Sequence, residues 1–77
     1  VVNVFPRLVT YGADGQVVSI VGTSDTNTVT LQDDAQFATS NLRLGGNNNR
    51  TLGIGDVLVL MFDSVTFNWI EVSYINN

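Results

Sequence analysis

The chain has 77 residues with seven Asp and Glu against three Arg, no Lys, a net charge of −4, and neither Cys nor His. It holds at most one domain, near the size at which one core only just offsets chain entropy, and disulfides and thiolate or imidazole metal sites are closed to it. Its cations Arg7, Arg43 and Arg50 are scattered, which excludes a basic patch for nucleic acid or an anionic membrane, and no apolar run reaches the roughly 18 to 20 residues that span a bilayer. Oligomerisation is the remaining route by which so small a chain gains stability.

Val, Thr, Asn and Gly dominate, and no window places apolar residues at helical spacing over three turns. Residues 1–11 read as a first strand, interrupted or restarted at Pro6, because proline donates nothing to a ladder. Asp14-Gly15 is a hairpin signal, and residues 16–21 read as the return strand. A polar turn follows at 22–27. Thr28-Val29-Thr30-Leu31 alternates, placing Val29 and Leu31 inward. Residues 32–40 are irregular, a short helical turn or an open loop around Phe37. Asn41-Leu42-Arg43-Leu44 alternates again with Leu42 and Leu44 inward, and residues 45–50 read as an exposed loop. Residues 51–56 carry glycine bends into the last two strands.

The stretch 57–63 is Val-Leu-Val-Leu-Met-Phe-Asp, apolar on both faces. Leu58, Leu60 and Phe62 share one face, and Val57, Val59 and Met61 share the other. An antiparallel strand in a small domain ordinarily shows one face to water. Two apolar faces therefore predict a second partner surface, most simply another copy of the chain. Trp69 of the neighbouring strand is expected to pack over Leu58, Leu60 and Phe62 as the hairpin core. Val57, Val59, Met61, Ile70 and Val72 are the candidate oligomer interface, although alternation alone leaves open which set faces inward. The fold expected is all-β: a small antiparallel β-sandwich or barrel-like module of about six short strands, residues 1–77 forming a single domain. A start at Val1-Val2-Asn3, with neither an initiator Met nor a signal-peptide pattern, points to a C-terminal fragment of a longer chain.

Little in the chain carries chemistry. Without His, Cys or Lys there is no triad, Schiff base or Ser-Lys pair, so no enzyme and no catalytic residue is expected. Asp33, Asp34, Asp56, Asp63 and Glu71 could supply a carboxylate pair but read better as solvated turn residues. Asp33 and Asp34 could also offer oxygens to calcium, yet the spacing matches no calcium loop, and no metal or cofactor is expected. The loop Gly45-Gly46-Asn47-Asn48-Asn49 lacks the Lys-Ser/Thr and helix of a phosphate cradle and reads as a turn. Tyr11, Trp69 and Tyr74 form the alternative, a carbohydrate-binding module that stacks sugars on aromatic faces. Glu71 lies by alternation on the face of Trp69 and Ser73. If that face enters a subunit interface, Glu71 needs a cation, with Arg43 or Arg50 as the donor; otherwise it faces water.

Five features stand in sequence: Asn41-Leu42-Arg43-Leu44, the Gly/Asn loop 45–49, the apolar-glycine linker 51–55, the Leu-rich strand 56–62, and Trp69-Ile70-Glu71-Val72-Ser73. Together, over about residues 41–75, they resemble the C-terminal segments of bacteriophage tailspikes and tail fibres. The chain departs from that form at Val65-Thr66-Phe67, where a shorter polar turn is usual, which leaves the hairpin register open. The resemblance implies a homotrimer whose terminal β module locks three chains together and caps a fibrous shaft. It also implies a place on the virion tail, extracellular after release, contact with host surface polysaccharide at some fibre ends, and any depolymerase activity upstream of this segment.

Overall fold

The computed structural model describes the backbone of residues 3–5 and all of residues 14–77. Seven strands lie among the described residues: β1 (Asn3–Phe5), β2 (Val17–Val21), β3 (Val29–Leu31), β4 (Leu42–Arg43), β5 (Arg50–Leu52), β6 (Val57–Asp63) and β7 (Asn68–Ile75). They form a three-stranded sheet in the order β1-β3-β5 and a four-stranded sheet in the order β2-β6-β7-β4. The fold is all-β, as the composition implies. The pairings are mixed, since β1 lies parallel to β3 and β4 parallel to β7, while the other three are antiparallel.

One core joins the sheets. Leu31 and Leu52 come from the smaller sheet, Leu42, Leu58, Leu60, Phe62 and Trp69 from the larger, with Leu44 just beyond β4. Alternation therefore placed Leu31, Leu42 and Leu44 correctly, and Val29 packs against the same cluster. Phe62 meets Trp69 edge to face at a centroid distance of 5.1 Å. On the outside of the smaller sheet, the Thr30 and Thr51 hydroxyls share a 2.8 Å hydrogen bond across their strands.

Two local expectations are corrected. The turn at Asp14-Gly15 forms and leads into β2, which pairs with β6, while β1 pairs with β3 in the other sheet. Residues 6–13, with Pro6, Tyr11 and the first arm of the expected hairpin, lie outside the described residues. Arg50 is not in a loop, because β5 begins with it and pairs it with Leu31. Nor are Asp33 and Asp56 solvated; both are buried. The two Asp33 carboxylate oxygens accept the backbone N–H groups of Leu44 at 2.7 Å and Ala35 at 2.8 Å. Those of Asp56 accept from Gly53 at 2.8 Å and Asn77 at 2.9 Å. Loop amides that the ladders leave unpaired thus supply the hydrogen bonds that make a buried carboxylate tolerable.

The longest hairpin, β6–β7, contains a register shift. Val59 lies opposite Ser73 and Leu60 opposite Glu71, so Val72 is the extra residue of a β-bulge. Directly opposed residues share a sheet face. Phe62 with Trp69, Leu60 with Glu71, and Leu58 with Tyr74 consequently face the core side. Without the bulge, alternation would carry Ser73 rather than Tyr74 to that side.

Candidate functional site

The bulge and the register together define the other face of the larger sheet. Its rows run Val21–Val57–Ile75, Ser19–Val59–Ser73 and Val17–Met61–Ile70 across β2, β6 and β7. Val72 protrudes from the bulge on β7 and is exposed. Val17, Val21, Met61 and Ile75 are exposed as well, and Val57, Val59 and Ile70 are half-buried. Seven apolar side chains in three rows, broken only by two serines, make a continuous patch with no charged residue inside it. Monomeric proteins rarely leave such a sheet face uncovered.

Charge appears at the rim. Beyond Ile70, Arg43 of β4 sits next in the sheet and pairs with Asp34, Arg43 Nε to Asp34 Oδ2 at 3.1 Å. Asp63 and Asn68 close the face at its turn end. An apolar centre with a polar border is the layout of a protein–protein contact.

The structure decides which alternating set lies where. Leu58, Leu60, Phe62 and Trp69 are fully buried within the subunit, as the hairpin-core reading has it. Val57, Val59, Met61 and Ile70 all fall on the outer face, with Val72 beside them. Alternation on the sequence did not single out Val17, Val21 and Ile75 as members of this face. The signal was present in Val17-Val18-Ser19-Ile20-Val21, which is apolar at both parities just as 57–62 is. Its pairing to β6, and hence its place beside Val57 and Met61, is long-range information.

Of the aromatic residues proposed for sugar stacking, the described pair Trp69 and Tyr74 offers no open stacking platform. Trp69 is wholly buried against Phe62, so neither of its ring faces can meet a saccharide. Tyr74 packs partly against the core, and the Arg50 guanidinium carbon lies 4.5 Å from its ring centroid. Tyr11 lies outside the described residues.

Glu71 is neither on a wet face nor in need of a subunit interface: it faces the core side of the sheet and is paired with Arg50 of its own chain. Arg50 Nε donates to Glu71 Oε1 at 2.8 Å and Nη2 to Oε2 at 3.2 Å, while Nη2 also donates to the Gly45 carbonyl at 3.0 Å. The glutamate raises the arginine's pKa further, chiefly through the hydrogen bond, against the opposing effect of burial.

All seven carboxylates lie among the described residues and all are engaged. Asp14 accepts from the Ser64 N–H, Asp25 from the Ile54 N–H, and Asp63 from the Val65 N–H and the Thr66 hydroxyl. Asp33, Asp34, Asp56 and Glu71 are held as described above. The acidic composition is thereby accounted for as turn and loop construction, with one ion pair between the sheets and one at the rim. Among the described residues no three acidic side chains group to hold a metal ion, and no pocket forms. The chemistry this arrangement supplies is that of a surface, apolar and rimmed by charge. No family model, no curated protein and no solved structure matches the chain.

Proposed function

We propose that this domain is a structural self-assembly module, in which copies of the chain associate through the outer face of β2, β6 and β7. The observation that supports this is the uncharged apolar face itself, centred on Val59 between Ser19 and Ser73 and flanked by Val57 and Met61. Burying apolar area contributes roughly 25 cal/mol per Å². A domain this small gains from such burial a stabilisation comparable with its own folding free energy of about 5 kcal/mol or a little more. The stoichiometry in the proposal is three, in line with the resemblance of residues 41–75 to tailspike and tail-fibre termini. There the module would close a homotrimer at the end of a viral fibre.

The mass of the purified chain in solution, by light scattering, tests this directly. A trimer is the expected result, and a concentration-independent, cooperatively folded monomer would overturn the reading. Val59→Asp puts a charge at the centre of the outer face and should give folded monomers. Leu60→Asp, one residue along on the core face, should instead abolish folding itself.

A further inference from the structure

Gly15 is the only glycine in the chain that follows Asp or Asn. An Asp-Gly pair is chemically labile, because glycine has no side chain to hinder attack of its backbone nitrogen on the preceding carboxyl. The Gly15 nitrogen bonds to Asp14 Cγ, and its proton leaves with the hydroxyl of the protonated carboxyl as water, closing a succinimide ring. Water then opens the ring at either carbonyl. Attack at Cγ breaks the new bond and restores aspartate. Attack at the main-chain carbonyl breaks the original peptide bond and leaves isoaspartate, with the chain running through the side chain and one methylene longer.

Water reaches this dipeptide. Asp14 and Gly15 are both exposed, and a Cβ built on Gly15 would meet nothing within 4 Å. The fold nevertheless ties down both reacting groups. The Gly15 N–H donates to the Phe62 carbonyl at 2.9 Å, a bond that cannot survive ring closure because the nitrogen gives up its proton. Asp14 Oδ1 accepts the Ser64 N–H at 3.0 Å, which turns the carboxyl toward the β6–β7 connection. That hydrogen bond also favours the ionised carboxyl, which has no hydroxyl to lose. Both anchors belong to one hairpin: Phe62 lies near the end of β6, and Ser64 opens the turn. Asp63 braces that turn by accepting from the Val65 N–H at 3.1 Å and the Thr66 hydroxyl at 2.8 Å.

We propose that Asp14-Gly15 is a site of spontaneous isoaspartate formation gated by the β6–β7 turn, the ring closing when the turn releases Asp14 and Gly15. The effect on the fold is directed. An added methylene between Asp14 and Gly15 moves the Gly15 nitrogen off the Phe62 carbonyl. The adjoining bond, from the Phe62 N–H to the Gln16 carbonyl at 2.8 Å, begins the β2–β6 ladder and is weakened next. The modification thus loosens the start of β2. It does not depend on the self-assembly reading above.

Peptide mapping with electron-transfer fragmentation distinguishes isoaspartate from aspartate and tests this after incubation at neutral pH. Unfolded in guanidinium chloride, the chain is expected to gain isoaspartate at position 14 at least about fivefold faster than the native chain, the factor one backbone hydrogen bond supplies. Asp63→Ala removes the braces of the turn, leaves the dipeptide intact and should fall between the two. Thr66→Val, which removes the hydroxyl brace alone, serves the same comparison if Asp63→Ala does not fold. Arg50→Met weakens the domain away from the turn and is the control. Native and unfolded chains that age at one rate would overturn the protection, and isoaspartate absent from both would overturn the site. A rise in the turn variant no larger than in Arg50→Met would overturn the gating, by making global unfolding the route. The separated isoaspartate form should melt below the unmodified chain, and an equal melting temperature would overturn the loosening of β2.

Discussion

Arg50 and Glu71, 21 positions apart in the chain, meet at 2.8 Å between β5 of one sheet and β7 of the other. Arg50 is 20% exposed and Glu71 13%, so the pair lies at the margin of the core rather than on the open surface. Surface ion pairs contribute about 0–1 kcal/mol, but a partly desolvated, two-pronged pair with further partners leaves a charge stranded when one member is removed. Here the further partners are the Gly45 carbonyl and the Tyr74 ring.

Arg50→Met is accordingly expected to destabilise the domain by about 2–3 kcal/mol, the range for loss of a charged hydrogen-bond partner. Glu71→Gln in that background should recover part of the loss, because no unpaired carboxylate remains. Chemical denaturation of the two single variants and the double variant measures the coupling. Strict additivity would show that the two side chains do not stabilise each other.

Gly45 is the floor of this cluster. A methyl group at its Cα would fall 2.8 Å from Arg50 Nη2 and press on Glu71 Oε2. Gly45→Ala should therefore cost about 1–3 kcal/mol in the wild-type chain, as overpacking does. In the Arg50→Met chain the cost should fall but not vanish, because Glu71 Oε2, the nearest atom at 2.5 Å, remains, though no longer held by the arginine. An equal cost in both backgrounds, read from denaturation midpoints, would show that the contact with Arg50 contributes nothing to the penalty.

Trp69 fills the centre of the core beside Phe62. Trp69→Ala should cost about 3–5 kcal/mol, a large share of the stability of a domain this size. The expected readout is loss of the cooperative thermal transition or a drop of many degrees in its midpoint. Normal folding in that variant would put the indole outside the core and reopen the sugar-stacking role.

The Ser64 N–H, and then the Ser64 hydroxyl, hold the Asp14 carboxyl below its ordinary pKa of 3.8. A carboxyl depressed in the folded state contributes stability above its unfolded value, and that contribution is lost as pH falls through the folded value. Below pH 3.8 the melting temperature of wild type should therefore fall more steeply than that of Asp14→Asn. Parallel slopes would remove Asp14 from the acid response.

The amino-acid sequence by itself determined the all-β class, through Val and Thr enrichment and the absence of helical spacing. It also determined the inward positions Leu31, Leu42 and Leu44, because one parity of each short strand is polar and the other apolar. It could not orient the segment 57–62, where both parities are apolar and alternation distinguishes two faces without saying which is wet. Tertiary structure made that choice: Leu31 and Leu52 arrive from the other sheet and cover Leu58, Leu60 and Phe62, leaving Val57, Val59 and Met61 outside. The bulge at Val72 was equally hidden, since an extra valine in an apolar strand changes no pattern, yet it turns Tyr74 toward the core. The ion pair of Arg50 with Glu71 and the burial of Asp33 and Asp56 depend on backbone groups brought close by folding, and residue spacing does not encode those distances.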